Sequence, residues 1–193
     1  MFIKDWKKDI LTIPNLLSLF RLVLIPVYVY IYLNATDRYQ FYAAGMIMAV
    51  SCLTDAVDGQ IARHFNMIST LGKILDPLAD KMTQFALTVC LSLKYPVLQP
   101  VLVLFVVKEI FQLVLGAVNL YRGKMLPGAL MAGKICTTVL FVSLITMVLF
   151  PGLYPEVVGI IAVTDGIFLL IAFVSYFFAY FGKNSKVQDL GAE

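Results

Sequence analysis

Four aspartates, Asp55, Asp58, Asp76 and Asp80, are the residues of this chain best suited to chemistry. Asp55 and Asp58 stand three positions apart, and Asp76 and Asp80 four apart. On helices, each pair therefore lies on one face, one turn from its partner. The segments that hold them are otherwise strongly apolar. A carboxylate at the centre of a membrane helix costs about 2.5–3.5 kcal/mol on the insertion scale, so four of them on neighbouring segments need compensation. Arg63 and Lys81 are too few and too near the ends to supply it. Divalent cations would do so, and clustered hard oxygen ligands suit Mg²⁺, Ca²⁺ or Mn²⁺ rather than zinc.

Two metal ions sharing carboxylates serve displacement at phosphorus, where they stabilise the attacking and leaving oxygens. Gly59 and Gly72 lack a Cβ and Ala62 is small, so backbone and an anionic ligand can approach closely. Arg63 offers a planar, permanently charged fork suited to a diphosphate. Such a site can bind a nucleotide diphosphate at a membrane surface and transfer half of it. One carboxylate must also take a proton from the acceptor hydroxyl, and Asp80, deepest on its helix, is the candidate. The rival reading of the acidic pairs is an ion or proton pathway, with the glycines as helix-packing positions.

The elements that must position these residues are membrane helices. The chain has 193 residues, 61% hydrophobic and 14% charged, against roughly 25% charged in soluble proteins. A net charge of +3, scattered along the chain, excludes a nucleic-acid surface. Cys52, Cys90 and Cys136 fall inside apolar runs without metal spacing. The fold class expected is all-α integral membrane, with six transmembrane helices preceded by a short interfacial amphipathic helix. Residues 1–11 form that interfacial helix, anchored by Trp6 and the lysines. Residues 12–182 form the six-helix domain, and 183–193 a cytoplasmic tail. The spans expected are Ile13–Leu33, Phe41–Arg63, Gly72–Leu93, Val97–Tyr121, Leu130–Phe150 and Glu156–Phe181, each near the ~20 residues that cross the hydrocarbon core.

Orientation follows from the basic residues of the connections. One side holds Lys4, Lys7, Lys8, Arg63, Lys73, Arg122, Lys124, Lys134, Lys183 and Lys186, and the other only Arg38 and Lys94. Both termini are thus expected in the cytoplasm. Helix 2 descends to that face and helix 3 climbs from it. At about 1.5 Å per residue the two acidic pairs then meet at matching depth beneath it.

The run Asp55-x-x-Asp58-Gly59-x-x-Ala62-Arg63, eight residues, Gly72-x-x-x-Asp76-x-x-x-Asp80 resembles the signature of the CDP-alcohol phosphatidyltransferases at every defined position. The likeness extends to Ile13-Pro14-Asn15-Leu16-Leu17-Ser18 with Arg21 and Pro26, and to Leu71–Lys81. It fades after about Thr138. The resemblance implies six transmembrane helices, a homodimer and a two-metal site facing the cytoplasm, in a bacterial inner or plasma membrane. It implies two Mg²⁺ or Mn²⁺ ions on Asp55, Asp58, Asp76 and Asp80, with Asp80 doubling as general base. Gly59, Ala62, Arg63 and Gly72 would cradle the CDP moiety, and the enzyme would exchange the CMP of a CDP-linked lipid for an alcohol.

The Leu-Asp-Pro-Leu-Ala-Asp-Lys run and the Pro14-Asn15 start resemble the bacterial branch that uses CDP-diacylglycerol to make anionic phospholipids. The acceptor expected is glycerol 3-phosphate, giving phosphatidylglycerol phosphate; the alternative is phosphatidylglycerol, giving cardiolipin. A phosphate-bearing acceptor needs cationic partners, and Asn15, Arg21, Lys108, Arg122 and Lys134 are the candidate acceptor or diphosphate contacts. One departure bears on this choice. The glycerol-phosphate pattern places an arginine eight residues after the basic member of the Lys108-Glu109 pair, where this chain has Gly116. Arg21 either snorkels or turns inward to a polar cavity. Lys108 with Glu109 is equally readable as a buried ion pair. Asp165, alone on helix 6, is expected to face a polar groove.

Overall fold

A computed structural model describes residues 13–64, 72–122, 124–125, 130–181 and 188–189, and the side-chain surroundings of 16–51, 76–122 and 130–181. The interfacial helix expected over 1–11 lies outside the described residues, as does most of the tail. Among the described residues six α-helices follow one another: α1 (Ile13–Leu33), α2 (Arg38–His64), α3 (Gly72–Lys94), α4 (Gln99–Tyr121), α5 (Met131–Leu149) and α6 (Pro155–Phe181). A 3₁₀ turn, Pro96–Leu98, precedes α4. Lys124–Met125 (β1) and Gln188–Asp189 (β2) form a two-residue antiparallel pairing.

Among the described residues four helical segments are long and apolar enough to cross a membrane by themselves: Leu16–Leu33, Pro96–Tyr121, Met131–Leu149 and Pro155–Phe181. The other two helices, α2 and α3, are those that carry the four aspartates.

Local sequence explains the helix ends. α2 starts at Arg38 rather than Phe41 because Gln40 Oε1 accepts the backbone N–H of Thr36 at 2.6 Å and of Asp37 at 3.4 Å, capping donors that a helix start leaves unpaired. Between α5 and α6 the chain turns at Pro151-Gly152. Gly152 has φ +125°, a conformation that side chains with a Cβ avoid.

The chain divides into two compact units, the first made of residues 1–90 and 144–152, the second of 91–143 and 153–193. In the first, α1 packs along α2. The buried positions of α1 are Ser18, Arg21, Ile25, Tyr28 and Tyr32, while Leu19, Phe20, Val23, Val27, Tyr30 and Leu33 are exposed. Polar groups inward and large apolar groups outward is the reverse of a water-soluble helix and suits lipid. Gly45 of α2 lets the end of α5 approach; a Cβ there would stand 3.2 Å from the Val148 carbonyl oxygen.

In the second unit α4 packs against α6. Phe111 meets Phe173 with ring centroids 4.8 Å apart. α6 buries Val158, Ala162, Asp165, Leu169, Ala172, Tyr176 and Ala179, a stripe at helical spacing. Gly133 of α5 admits Tyr176: an added Cβ would lie 2.5 Å from its Oη.

Candidate active site

Asp76 and Asp80 lie one turn apart on α3, and α1 supplies a partner to each. Ser18 Oγ donates a short hydrogen bond to Asp76 Oδ1. Arg21 Nη1 donates to Asp80 Oδ1 at 2.6 Å and forms an ion pair with it. The partners occur in the same order along both helices, so α1 and α3 run parallel, with α2 as the connection that returns between them.

Exposure differs across these contacts. Ser18 is 0% exposed and Arg21 2%, whereas the Asp80 side chain is 49% exposed. The donors are sealed and the carboxylate is open. A buried guanidinium is costly unless it is paired, and Asp80 contributes to that pairing.

Asp55, Asp58, Gly59, Ala62 and Arg63 all lie on α2, and Gly72 is the first residue of α3. Their side-chain surroundings, like those of Asn15 on α1, are outside the description. Sequence reasoning gave no role to Ser18. The signal was present in the spacing Asn15-x-x-Ser18-x-x-Arg21, which puts all three on one helical face.

Beside the pair, α1 and α3 border an open apolar cavity of about 620 Å³, lined by Leu22, Ile25, Pro26, Met82, Phe85 and Ala86 among others.

The remaining candidates belong to the second unit. Lys108 is buried and bonded to the neighbouring Glu109. Arg122, at the end of α4, and Lys134, in the first turn of α5, are exposed. Gly116 faces open space, with nothing within 4 Å of an added Cβ. Asp165 is buried, not groove-facing: Ser143 Oγ donates to its Oδ1 at 2.9 Å, and its Oδ2 has no hydrogen-bond partner among the described residues.

The model of the CDP-alcohol phosphatidyltransferase family matches residues 11–180. The chain belongs to that family. This phosphatidyltransferase is 35% identical over 136 residues to the CDP-diacylglycerol–glycerol-3-phosphate 3-phosphatidyltransferase of Aquifex aeolicus (strain VF5), covering 69% of this chain and 72% of that one. It is 35% identical over 153 residues to the protein of the same name from Shigella flexneri serotype 5b (strain 8401), covering 77% and 82%. It is also 36% identical over 121 residues to a cardiolipin synthase (CMP-forming) / mitochondrial hydrolase fusion protein of Schizosaccharomyces pombe; that match covers 63% of this chain and spans only 19% of the fusion protein. Membership makes the chain an enzyme and leaves no need for an ion pathway to account for its acidic pairs.

Proposed function

We propose that this phosphatidyltransferase moves the phosphatidyl group of CDP-diacylglycerol to glycerol 3-phosphate, releasing CMP and forming phosphatidylglycerol phosphate. The observation that carries this is the pairing of Ser18 with Asp76 and Arg21 with Asp80. It holds two of the four motif carboxylates side by side, in a chain similar to proteins named for that reaction.

The donor set suits two Mg²⁺ or Mn²⁺ ions: Asp76 and Asp80 are hard oxygen ligands, and Asp80 stays half exposed after bonding Arg21. Asp55, Asp58, Asp76 and Asp80 would hold the ions, which when bound would stabilise charge on the attacking and leaving oxygens. The chain's own residues do the rest. Arg63, approached across Gly59, Ala62 and Gly72, binds the diphosphate. Asp80 takes the proton from the acceptor hydroxyl. The acceptor oxygen bonds to the phosphorus that bears diacylglycerol, and the bond from that phosphorus to the CMP oxygen breaks. Asn15, on the same helix as Ser18 and Arg21, is the candidate to hold the acceptor's phosphate. The apolar cavity between α1 and α3 gives an acyl chain a place beside the reacting groups.

In this reading all six helices span the bilayer, α2 and α3 with their acids neutralised by the cations. The site and both termini face the cytoplasm, and the enzyme works as a homodimer.

A second reading, cardiolipin synthesis with phosphatidylglycerol as acceptor, is favoured by Gly116, which stands where the glycerol-phosphate pattern has an arginine. CMP release by purified protein with CDP-diacylglycerol and Mg²⁺ or Mn²⁺ separates the two. Release with glycerol 3-phosphate alone is the expected result, abolished by EDTA and restored by excess Mg²⁺ or Mn²⁺. Release with phosphatidylglycerol alone assigns the second reading.

A further inference from the structure

We infer that Ser18 and Arg21 of α1 are positioning residues that fix the carboxylates of Asp76 and Asp80 for metal binding, rather than contacts to substrate. The inference rests on the metal-site reading of these carboxylates.

The geometry is specific. Ser18 and Arg21 are three residues apart, and Asp76 and Asp80 four apart, rises of about 4.5 and 6 Å along parallel helices. Two successive turns of α1 thus meet two successive turns of α3. Each contact engages one carboxylate oxygen, Oδ1 in both cases. A carboxylate held at one oxygen by a side chain of a neighbouring helix is restricted in its rotation. Oriented ligands gain affinity because nothing need be ordered when the ion arrives, which is why groups behind a metal site matter almost as much as its ligands.

Simple adhesion between helices is the competing account, and the exposures argue against it. Glue between membrane helices is best sealed at both ends, because a wet end weakens the bond. Here the donors are sealed and Asp80 is half open. Arg21 is also a poor substrate ligand: with 2% of its surface exposed, it offers almost nothing to a diphosphate arriving from outside.

The test is Mn²⁺ binding to the full-length protein in detergent without substrate, read by electron paramagnetic resonance and paired with steady-state CMP release. Because the first readout needs neither lipid nor acceptor, it stands even if the proposed reaction is wrong. Ser18→Ala is expected to weaken Mn²⁺ binding on the order of 10-fold and to lower kcat with KM for CDP-diacylglycerol unchanged. Ser18→Thr, which keeps the hydroxyl, should restore both. Arg21→Lys, which keeps the charge but loses the fork, should likewise weaken Mn²⁺ binding. The inference is overturned if Ser18→Ala binds Mn²⁺ like the parent. It is equally overturned if Arg21→Lys raises KM for the CDP-lipid while Mn²⁺ affinity holds, since Arg21 would then be a substrate contact. If Arg21→Lys does not fold, the Ser18→Ala and Ser18→Thr pair decides alone.

Discussion

Between α1 and α3 the donors are buried and the acid is open; between α5 and α6 the acid itself is buried. Asp80 keeps 49% of its side chain exposed against Arg21. Asp165 is 1% exposed and bonded to the half-buried Ser143. Both are aspartates held by a side chain from another helix. On the function proposed above, the difference teaches how to tell a working carboxylate from a structural one. A working acid has its support on the dry side and a face left for something else. A structural acid is enclosed, even at the cost of an oxygen without a partner among the described residues.

Substitutions at the two aspartates test this contrast most directly. Asp80→Asn should lower CMP release by about 10²–10⁴-fold, the range for loss of a general base, while the protein still binds CDP-lipid in a direct binding assay. Activity within tenfold of the parent would remove Asp80 from the role of base and erase the contrast. On the enclosed side, Gly133→Val should lower thermal stability by about 1–3 kcal/mol, because the Tyr176 ring would have to move. The kcat of the protein that remains folded should be unchanged; a selective loss of kcat would mean that the second unit does more than support. Asp165→Asn keeps the acceptor for Ser143. It should leave kcat within about twofold and change stability by less than the ~2 kcal/mol that bounds hydrogen bonds between membrane helices. Gly116→Ala, into open space, should fall within about ±0.5 kcal/mol.

The open site was only partly legible in the sequence. The Asp55–Asp80 spacing announced carboxylates on helical faces, and family membership over residues 11–180 agrees with that motif. Helix α1 matched its expected bounds because an apolar run between Pro14 and Asn34 leaves little choice. Its contribution to the site was not legible. Ser18 and Arg21 stand 58 and 59 residues from their partners, and a serine in a membrane helix is chemically ambiguous, serving packing or bonding equally well. Arg21 was noticed for its charge, but charge alone cannot distinguish snorkelling, substrate contact and an ion pair to another helix. The α4 boundary also shifted, to Gln99, because Pro96 and Pro100 bracket a short 3₁₀ turn. Asp165 showed the opposite limitation: a lone acid suggested a groove, and Ser143, 22 residues away, encloses it instead.

The Arg21–Asp80 pair also has a consequence for how the protein is made. The ribosome delivers α1 before α3, and Asp80 follows Arg21 by 59 residues, roughly 3–12 s at 5–20 residues per second. During that interval the Asp80 contact cannot form, and a charged side chain at the centre of a membrane helix costs about 2.5–3.5 kcal/mol on the insertion scale until it is compensated. The Arg21–Asp80 contact therefore cannot help to hold α1 in place until α3 arrives, and closing that contact and bringing Asp76 and Asp80 against α1 become the same event.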